Sequence, residues 1–183
     1  MRVISGSLKG KRLFSAAGLS LRPTSDRVRE SIFDILQGEI EGRRVLDLFA
    51  GTGAMGIEAL SRGASGAVFI ESHRSSLEAL RRNLRDCRLE ASSAVLDREV
   101  EAGLRVLEER GETFEIVFLD PPYDRGLARK TVERISASPI LKPGALVVAE
   151  HSLTEEMEVR DPLARVDLRK YGRTRVSFLR KAG

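Results

Sequence analysis

The most constraining feature of the sequence is a regular alternation of short apolar runs with amphipathic segments between residues 43 and 149. The apolar runs predict strands at 45–49, 67–71, 94–96, 114–120 and 145–149. The segments between them have apolar residues at helical spacing and predict helices at 54–62, 75–85, 100–109 and 127–136. Strands that alternate with helices are typical of βαβ units, and continuously apolar strands indicate burial on both faces. We therefore predict an α/β fold with a mostly parallel sheet and helices on both faces.

The N-terminal part of the chain departs from this alternation. Apolar pieces at 3–6 and 11–14 flank a turn bounded by glycines and predict a β-hairpin. A helix is then predicted to begin near Pro23, because capping residues follow that proline, and to end near Gly38. We therefore expect a hairpin extension over residues 1–22.

The C-terminal part departs from it as well. After His151, the segments 165–171 and 174–179 alternate polar and apolar residues on either side of a glycine. This pattern predicts an antiparallel hairpin at one edge of the sheet. No linker is long enough to separate a further full domain, so we assign residues 23–183 to one main domain.

Charge is distributed unevenly along the chain of 183 residues, whose formal net charge is +4. Residues 1–30 have a net charge of +5 and residues 164–183 have +6, which leaves −7 for the middle. Basic ends on an acidic body predict arms that contact a polyanion, and merely solvated ends are the alternative. The predicted N-terminal hairpin would expose Lys9, Lys11 and Arg12 at its tip. Aromatic residues make up 5% of the chain and tryptophan is absent, which disfavours a platform of many stacking rings.

Location and metal content follow from what the sequence lacks. No apolar run approaches the roughly 18 residues of a membrane span, and the N-terminus has no long apolar segment. The single Cys87 fits a reducing compartment, so we expect a cytoplasmic protein. The two histidines, His73 and His151, have no metal-ligand spacing with Cys87, and we expect no metal site.

A glycine-rich turn joins the first predicted strand of the alternating region to a helix. Gly51 and Gly53 would let the backbone pass close to a ligand, since no Cβ blocks the approach. Glu71 lies 20 residues after Gly51, where an acidic side chain can accept hydrogen bonds from both hydroxyls of a ribose. With Gly56, the spacing also fits a dinucleotide-binding fingerprint. The pattern leaves a nicotinamide enzyme, a methyltransferase and a purely structural turn open.

Asp47 helps to separate these possibilities. A carboxylate inside an apolar strand is costly to bury unless it is paired or hydrogen-bonded. The α-amino group of a sulfonium cofactor, or ordered water, could satisfy Asp47, whereas a pyrophosphate would be repelled by it. The structural alternative is a buried aspartate that is bonded to loop amides.

The tetrapeptide Asp120-Pro121-Pro122-Tyr123 follows the strongest predicted strand. Two prolines fix the direction of the first carbonyl and offer no competing N–H. Asp120 and the Pro121 carbonyl could then accept both hydrogens of one exocyclic amine, while Tyr123 offers a flat face to a base. An in-line methyl transfer to that nitrogen depends mainly on positioning and needs no metal. A proline turn capped by an aspartate is the structural alternative.

These residues resemble those of a known family. Asp120 to Tyr123 resembles the [Asn/Asp/Ser]-Pro-Pro-[Tyr/Phe] motif of amino-methyltransferases with the class I fold. A wider resemblance, to the bacterial small-subunit ribosomal RNA guanine-N2 methyltransferases, covers nearly the whole chain. It rests on Lys9 to Leu13, Arg22 to Phe33, Asp47 to Gly56 continuing into Glu58 to Gly63, and Phe118 to Tyr123.

The resemblance implies a class I (Rossmann-like) methyltransferase fold with seven strands, the last antiparallel, and S-adenosylmethionine as methyl donor. It implies a catalytic set of Asp120, Pro121, Pro122 and Tyr123. It places Thr24 beside the methionine end of the cofactor. The cofactor contacts predicted on this basis are Thr24, Asp47, Phe49, Ala50, Gly51, Gly53, Glu71, Ser72, Asp97, Arg98 and Asp120.

Two departures from the family pattern concern the cofactor. His73 stands where related sequences often have Asp or Asn, and both Asp97 and Arg98 fit the position that contacts adenine. Glu150, at the end of the last parallel strand, is either structural or borders the base pocket.

The leading hypothesis is methylation of guanine N2 in ribosomal RNA, within a small-subunit particle, by a monomer. Lys9, Lys11, Arg12 and Arg22 would contact the RNA. A second hypothesis keeps the chemistry but assigns adenine N6 in DNA or RNA, or a protein glutamine, as acceptor. A third is a nicotinamide-dependent oxidoreductase, and a fourth is a non-catalytic RNA-binding module.

Overall fold

The computed structural model describes residues 1–15, 26–122 and 126–183. Its helices are α1 (Asp26–Ile35), α2 (Ala54–Ser61), α3 (Arg74–Asp86), α4 (Val100–Glu109) and α5 (Leu127–Ser136). Its strands are β1 (Arg44–Leu48), β2 (Gly66–Glu71), β3 (Ser93–Asp97), β4 (Phe114–Leu119), β5 (Leu141–Ser152), β6 (Leu163–Tyr171) and β7 (Thr174–Lys181). A one-turn 3-10 helix, Glu90–Ser92, precedes β3. The strands form a seven-stranded mixed sheet, so the predicted α/β class is confirmed.

The chain divides into two compact units, Met1–Val100 and Glu101–Gly183. In the first unit the strand order is β3-β2-β1, and both pairings are parallel. The inner strands are apolar on both faces: in β1 only Asp47 interrupts Val45, Leu46 and Leu48, all of which are buried. This composition suits a strand covered on both sides, as the sequence predicted.

In the second unit the strand order is β4-β5-β7-β6. β4 and β5 are parallel, whereas β7 runs antiparallel to both β5 and β6. The predicted C-terminal hairpin and the antiparallel last strand are therefore confirmed. β5 extends past the predicted 145–149 at both ends, because pairing with β4 begins at Leu141 and pairing with β7 continues through Ser152.

The N-terminal residues double back as predicted but form less regular structure than a two-stranded ladder. Arg2 and Arg12 make a single antiparallel bridge, and Val3 N–H donates to the Lys11 carbonyl at 2.9 Å. Gly10 N–H also donates to the Val3 carbonyl and Leu13 N–H to the Met1 carbonyl, at 2.9 and 3.2 Å, so the two predicted pieces pair as a short hairpin without a longer ladder. The pairing stays short because the N–H groups of Ile4, Ser5 and Phe14 donate to side chains of α2 and α3 instead of to the facing piece.

The predicted boundary between an extension and a main domain lies within 16–25, outside the described residues. Residues 1–15 belong to the first compact unit. The division at residue 22 stays a prediction.

Candidate functional site

The loop after β1 has a left-handed backbone at three positions. Phe49 has φ of 60°, Gly51 has 56° and Gly53 has 82°. Glycine adopts this region freely, whereas Phe49 does so at a cost of order 1–3 kcal/mol. Strained backbone of this kind clusters at ligand-binding sites, and Phe49 is one of the predicted cofactor contacts.

The three glycines of this loop differ in what surrounds them. A Cβ on Gly51 would meet only the Phe49 carbonyl oxygen, at 4.0 Å, so its α-carbon faces open space. A Cβ on Gly53 would lie 2.4 Å from Leu80 Cδ1, and one on Gly56 would lie 2.3 Å from the Phe69 ring. Gly51 therefore leaves room for a ligand, while Gly53 and Gly56 allow α2 to pack closely against its neighbours.

Glu71, at the end of β2, organises the backbone around this loop. Its Oε2 accepts a hydrogen bond from Gly51 N–H at 2.7 Å, and its Oε1 accepts from Ser72 and His73 N–H at 2.9 and 2.7 Å. A carboxylate has about four acceptor positions, so capacity remains for a ribose hydroxyl. The side chain predicted to bind the ribose thus also fixes the conformation of Gly51.

Asp47 is buried within β1, and its Oδ2 accepts a hydrogen bond from Gly56 N–H at 2.9 Å. This is the bond to a loop amide that the structural alternative specified. It stabilises the negative charge near the N-terminus of α2, where the helix dipole favours an anion. A contact between Asp47 and the cofactor stays a prediction.

The carboxyl ends of β2 and β3 place the remaining predicted contacts of the first unit together. Glu71 is in register with Asp97, and Arg98 N–H donates to the Glu71 carbonyl at 3.0 Å. The Asp97 carboxylate pairs with Arg81 at 3.4 Å, and both side chains are exposed. Ser72 is exposed beside them. Asp97 and Arg98 both lie at this edge, so the choice between them for the adenine stays open.

Asn83 is a buried residue that sequence reasoning missed. Its Oδ1 accepts from Phe14 N–H at 2.6 Å, and its Nδ2 donates to the Phe14 and Thr52 carbonyls at 3.0 and 2.9 Å. One amide therefore connects the N-terminal segment to the glycine loop. An asparagine on the apolar face of a predicted helix, among Leu77, Leu80 and Leu84, was the available signal.

The N-terminal residues are held on α2 by side chains that the site predictions also omitted. The fully buried Glu58 accepts from Ile4 and Ser5 N–H at 2.7 and 3.0 Å and pairs with Arg62 at 2.8 Å. Ser61 Oγ donates to the Ser5 carbonyl at 2.6 Å and accepts from Leu8 N–H at 3.0 Å. These bonds attach the segment to the helix that follows the glycine loop.

Arg29 completes this attachment from α1. It is buried, donates to the Arg2 carbonyl and pairs with Asp26 at 3.1 Å. Burial lowers the pKa of Arg29, and the Asp26 and Glu58 carboxylates oppose that shift. Both Arg29 and Glu58 fall within the sequence blocks that carried the resemblance.

The cations predicted to contact RNA are in part described. Lys9, Lys11 and Arg12 are exposed on the turn and second half of the N-terminal segment. Arg22 and the predicted cofactor contact Thr24 lie outside the described residues, as does Tyr123.

In the second unit, the predicted amine-binding residues stand at the carboxyl end of β4. Asp120 directly follows the strand and is exposed, Pro121 is buried and Pro122 is exposed. Leu119 is in register with Ala149 of β5, so Glu150 and His151 lie beside this end of β4. The placement agrees with the general position of ligand sites at the carboxyl ends of parallel strands.

His151 is buried and fully engaged. Its Nε2 is 2.9 Å from Ser177 Oγ, and its Nδ1 is 3.1 Å from the Glu155 carbonyl oxygen. A carbonyl only accepts, so Nδ1 has the proton and Nε2 accepts from the serine hydroxyl. Burial lowers the pKa of His151, which keeps the imidazole neutral. This histidine therefore joins β5 to β7.

Glu150, beside His151, is buried and also has an interaction partner. A border position in a base pocket stays a prediction for it.

Among the described residues, no cluster of three or more His, Cys, Asp or Glu side chains could hold a metal ion. Nor does any helix in the described ranges have the length and apolarity to span a membrane. Burial raises the pKa of the Cys87 thiol, which disfavours a thiolate nucleophile there.

Comparisons with known proteins extend these observations to the whole chain. A family model described as "Conserved hypothetical protein 95" matches residues 1–180. The chain is 38% identical to "Putative rRNA methyltransferase YlbH" of Bacillus subtilis (strain 168), over 100% of both chains. It is 40% identical to "Ribosomal RNA small subunit methyltransferase D" of Escherichia coli (strain K12), over 82% of this chain and 74% of that protein.

A solved structure agrees with these relatives. "Putative methyltransferase yhhF from Escherichia coli" is similar with a TM-score of 0.87 and 32% identity, and the match covers 100% of this chain and 98% of that one.

Proposed function

The chain belongs to the family described as Conserved hypothetical protein 95, and on that premise we propose that it is an RNA methyltransferase. It transfers a methyl group from S-adenosylmethionine to the exocyclic N2 amine of a guanine in small-subunit ribosomal RNA. The relative of E. coli, which is named as a methyltransferase of the same subunit, supports the choice of substrate.

The observation that carries the proposal is the sequence Asp120-Pro121-Pro122 at the carboxyl end of β4. The Asp120 carboxylate and the Pro121 carbonyl each accept one N–H of the target amine. The amine nitrogen would then be held with its lone pair available for the new N–C bond, which forms as the methyl–sulfur bond breaks. The proton that the amine loses would pass to the solvent-exposed Asp120 carboxylate. Orientation of the reactants supplies most of the rate enhancement, since effective molarities in such cases are very high. Pro121 and Pro122 stiffen the backbone so that this orientation is maintained.

The first unit supplies residues that fit the methyl donor. S-adenosylmethionine provides an activated methyl group whose leaving group is a neutral thioether. Gly51 leaves open space at its α-carbon, and Glu71 retains acceptor capacity for a ribose hydroxyl. Asp97 and Arg98 lie at the adjacent strand end, and Asp47 stabilises the loop through Gly56.

The RNA itself is bound through positive charge. Lys9, Lys11 and Arg12 are exposed on a segment that Glu58 and Ser61 hold in place. Contacts of lysine and arginine with phosphates release counterions, so RNA affinity falls steeply as salt rises. We further propose that the protein acts as a cytoplasmic monomer on RNA within a small-subunit particle.

The test is transfer of labelled methyl from S-adenosylmethionine to methyl-free small-subunit particles, followed by nucleoside analysis. We expect N2-methylguanosine as the product. The Asp120→Ala variant should lose at least about 100-fold in rate, because the amine is no longer positioned. Asp120→Asn should retain intermediate activity, since its amide oxygen can still accept one hydrogen bond.

The matched control is Glu109→Ala, which removes an exposed carboxylate at the end of α4 in the same unit. It should leave the rate unchanged. If the wild-type chain methylates adenine or protein glutamine but not guanine, the proposed substrate is wrong. The proposed methyl transfer to an amino group would still hold. Full activity of Asp120→Ala would contradict the proposed role of the tetrapeptide.

A further inference from the structure

The turn between β6 and β7 concentrates positive charge that the proposed reaction does not use. Residues 169–175 contain Arg169, Lys170, Arg173 and Arg175 and no acidic residue. Lys170 and Arg173 are exposed, and within the described part of the chain neither side chain has an ion pair or hydrogen bond. Arg169, in contrast, pairs with Asp167 at 2.8 Å. Unpaired cations on a turn tip are available to an external anion.

Strand register places this basic turn at the same sheet edge as Asp120. Ser152, the last residue of β5, is in register with Thr174, the first residue of β7. β4 runs parallel to β5 and ends one residue before Asp120, with Leu119 opposite Ala149. β5 separates β4 from β7, and two strand spacings amount to about 10 Å. Thr174 is also two residues further along the strands than Asp120, or about 7 Å, so the basic turn begins roughly 12 Å from Asp120 at the same edge.

The position of the turn relative to β5 is fixed by internal bonds. His151 Nε2 accepts from Ser177 Oγ across β5 and β7, and the ladder continues to the Tyr171–Thr174 pair that closes the hairpin. Gly172 has φ of +57°, which allows the tight reversal. A backbone fixed in this way needs no further ordering when RNA binds, so only the Lys170 and Arg173 side chains lose conformational entropy.

Acidic residues near this edge are mostly engaged elsewhere. In the segment after β5, Glu155 accepts from Arg129 N–H at 2.9 Å, and Glu158 pairs with Arg160 at 2.9 Å. Glu150 is buried and Glu156 is exposed. Among the described residues near this edge, Glu156 and Asp120 are further exposed carboxylates, and neither belongs to the turn. Residues 169–175 contain four cations and no acid, so the turn itself favours an anion.

We propose that Lys170 and Arg173 bind the RNA phosphate backbone next to the target guanine. This inference rests on the proposed function. An enzyme that acts on a base must take it out of its stack, so the flanking backbone has to approach the edge where the amine is held. Contacts to phosphate fix the register of the nucleic acid without reading its sequence. The turn would thus position the RNA at the site, and its contribution would be independent of that of the N-terminal cations.

The experiment compares the wild type with a double variant that has both Lys170→Gln and Arg173→Gln, called here the turn variant. The matched control is a second double variant, with both Arg105→Gln and Arg110→Gln. It removes two exposed cations from the same unit, one within α4 and one directly after it. Binding to an unmethylated small-subunit RNA transcript is measured over a range of salt, and methyl transfer to methyl-free particles is measured in parallel. We expect the RNA dissociation constant to rise about 10-fold in the turn variant. The slope of log affinity against log salt should become shallower by about 1.4, for two contacts at roughly 0.7 each.

In the turn variant, the dissociation constant for S-adenosylmethionine and the kcat at saturating RNA should stay as in the wild type. An RNA affinity and salt slope equal to those of the wild type would overturn the inference, and so would an equal loss in the α4 control. A loss confined to particles, with no change on the transcript, would show that the turn contacts a ribosomal protein instead. Absence of methyl transfer to RNA by the wild type would remove the proposed function itself, and this inference with it.

Discussion

Gly51, Gly53 and Gly56 lie within six residues of one another but serve different physical purposes. Only Gly51 has open space where a side chain would begin. Gly53 and Gly56 are buried, and their missing side chains let α2 approach Leu80 and Phe69. A glycine fingerprint in a sequence therefore combines ligand approach with helix packing, and spacing alone does not separate the two.

We expect Gly53→Ala to destabilise the fold more than Gly51→Ala. Both substitutions place a Cβ on a left-handed backbone, at a cost of about 1–2 kcal/mol. Gly53→Ala also forces the new methyl group against the buried Leu80, which adds about 1–3 kcal/mol of overpacking. Denaturant unfolding of the two variants measures the difference. Equal destabilisation by the two substitutions would contradict the packing role of Gly53.

Glu71 shows a similar double use of one residue. Its three hydrogen bonds to backbone N–H groups fix the loop that holds Gly51, and they leave acceptor capacity for a ligand. A carboxylate that is already positioned by its own backbone loses little entropy when a ribose hydroxyl arrives. Glu71 thus supports the loop, and its predicted contact with a ribose hydroxyl would use the acceptor capacity that remains.

At the scale of elements, the N-terminal segment pairs briefly with itself and is attached to the domain through α2 and α3. Side chains of Glu58, Ser61 and Asn83 bond to backbone groups of Ile4, Ser5, Leu8 and Phe14. Gly6 makes this possible, because a Cβ there would lie 1.9 Å from the Ser61 carbonyl oxygen. The exposed Lys9, Lys11 and Arg12 therefore stand on a segment whose position depends on residues of the domain core.

We expect Ser61→Ala to loosen this segment and weaken RNA binding without affecting the cofactor. The substitution leaves Leu8 N–H and the Ser5 carbonyl without their partner, which costs about 1–3 kcal/mol where those groups stay buried. Amide exchange at residues 5–8 should accelerate about 10-fold, and the KM for RNA should rise. Ser136→Ala is the control, because among the residues that the structure describes that hydroxyl bonds only to the Glu133 carbonyl of its own helix. A rise in the dissociation constant for S-adenosylmethionine of the same size would indicate a general loss of stability instead.

At the scale of the whole molecule, stability depends on keeping a histidine neutral. His151 is buried between β5 and β7 and its pKa is lowered, whereas in the unfolded chain a histidine titrates near 6.5. Below about pH 6.5 the unfolded state binds a proton that the folded state does not. The free energy of unfolding therefore falls as the pH falls below that value, until the folded pKa is reached.

We expect His151→Gln to reduce this pH dependence. Glutamine can bond to Ser177 and to a carbonyl without titrating, so the variant should lose less stability than the wild type between pH 7 and pH 5. His73→Gln, which removes the exposed histidine, is the control. Thermal or denaturant unfolding at several pH values gives the comparison. The same pH slope in wild type and His151→Gln would assign the acid sensitivity to other groups.

The order of strands and helices along the chain, and with it the α/β class, could be predicted from the sequence. So could the positions of the glycine loop and of the Asp-Pro-Pro-Tyr tetrapeptide. These features are local, because periodicity, capping residues and prolines act over a few neighbouring positions. The family resemblance then followed from contiguous blocks of residues, and the comparisons confirmed it.

The tertiary structure alone decided which polar groups meet across long separations in the sequence. Glu58 bonds to Ile4, Asn83 joins Phe14 to Thr52, and His151 joins Ser177. Strand register brought the β6–β7 turn to the edge that holds Asp120. Such pairings depend on how helices and strands pack. A polar residue at a buried position predicts that a hydrogen-bond partner exists. The amino-acid sequence does not identify that partner, because the partner can lie anywhere along the chain.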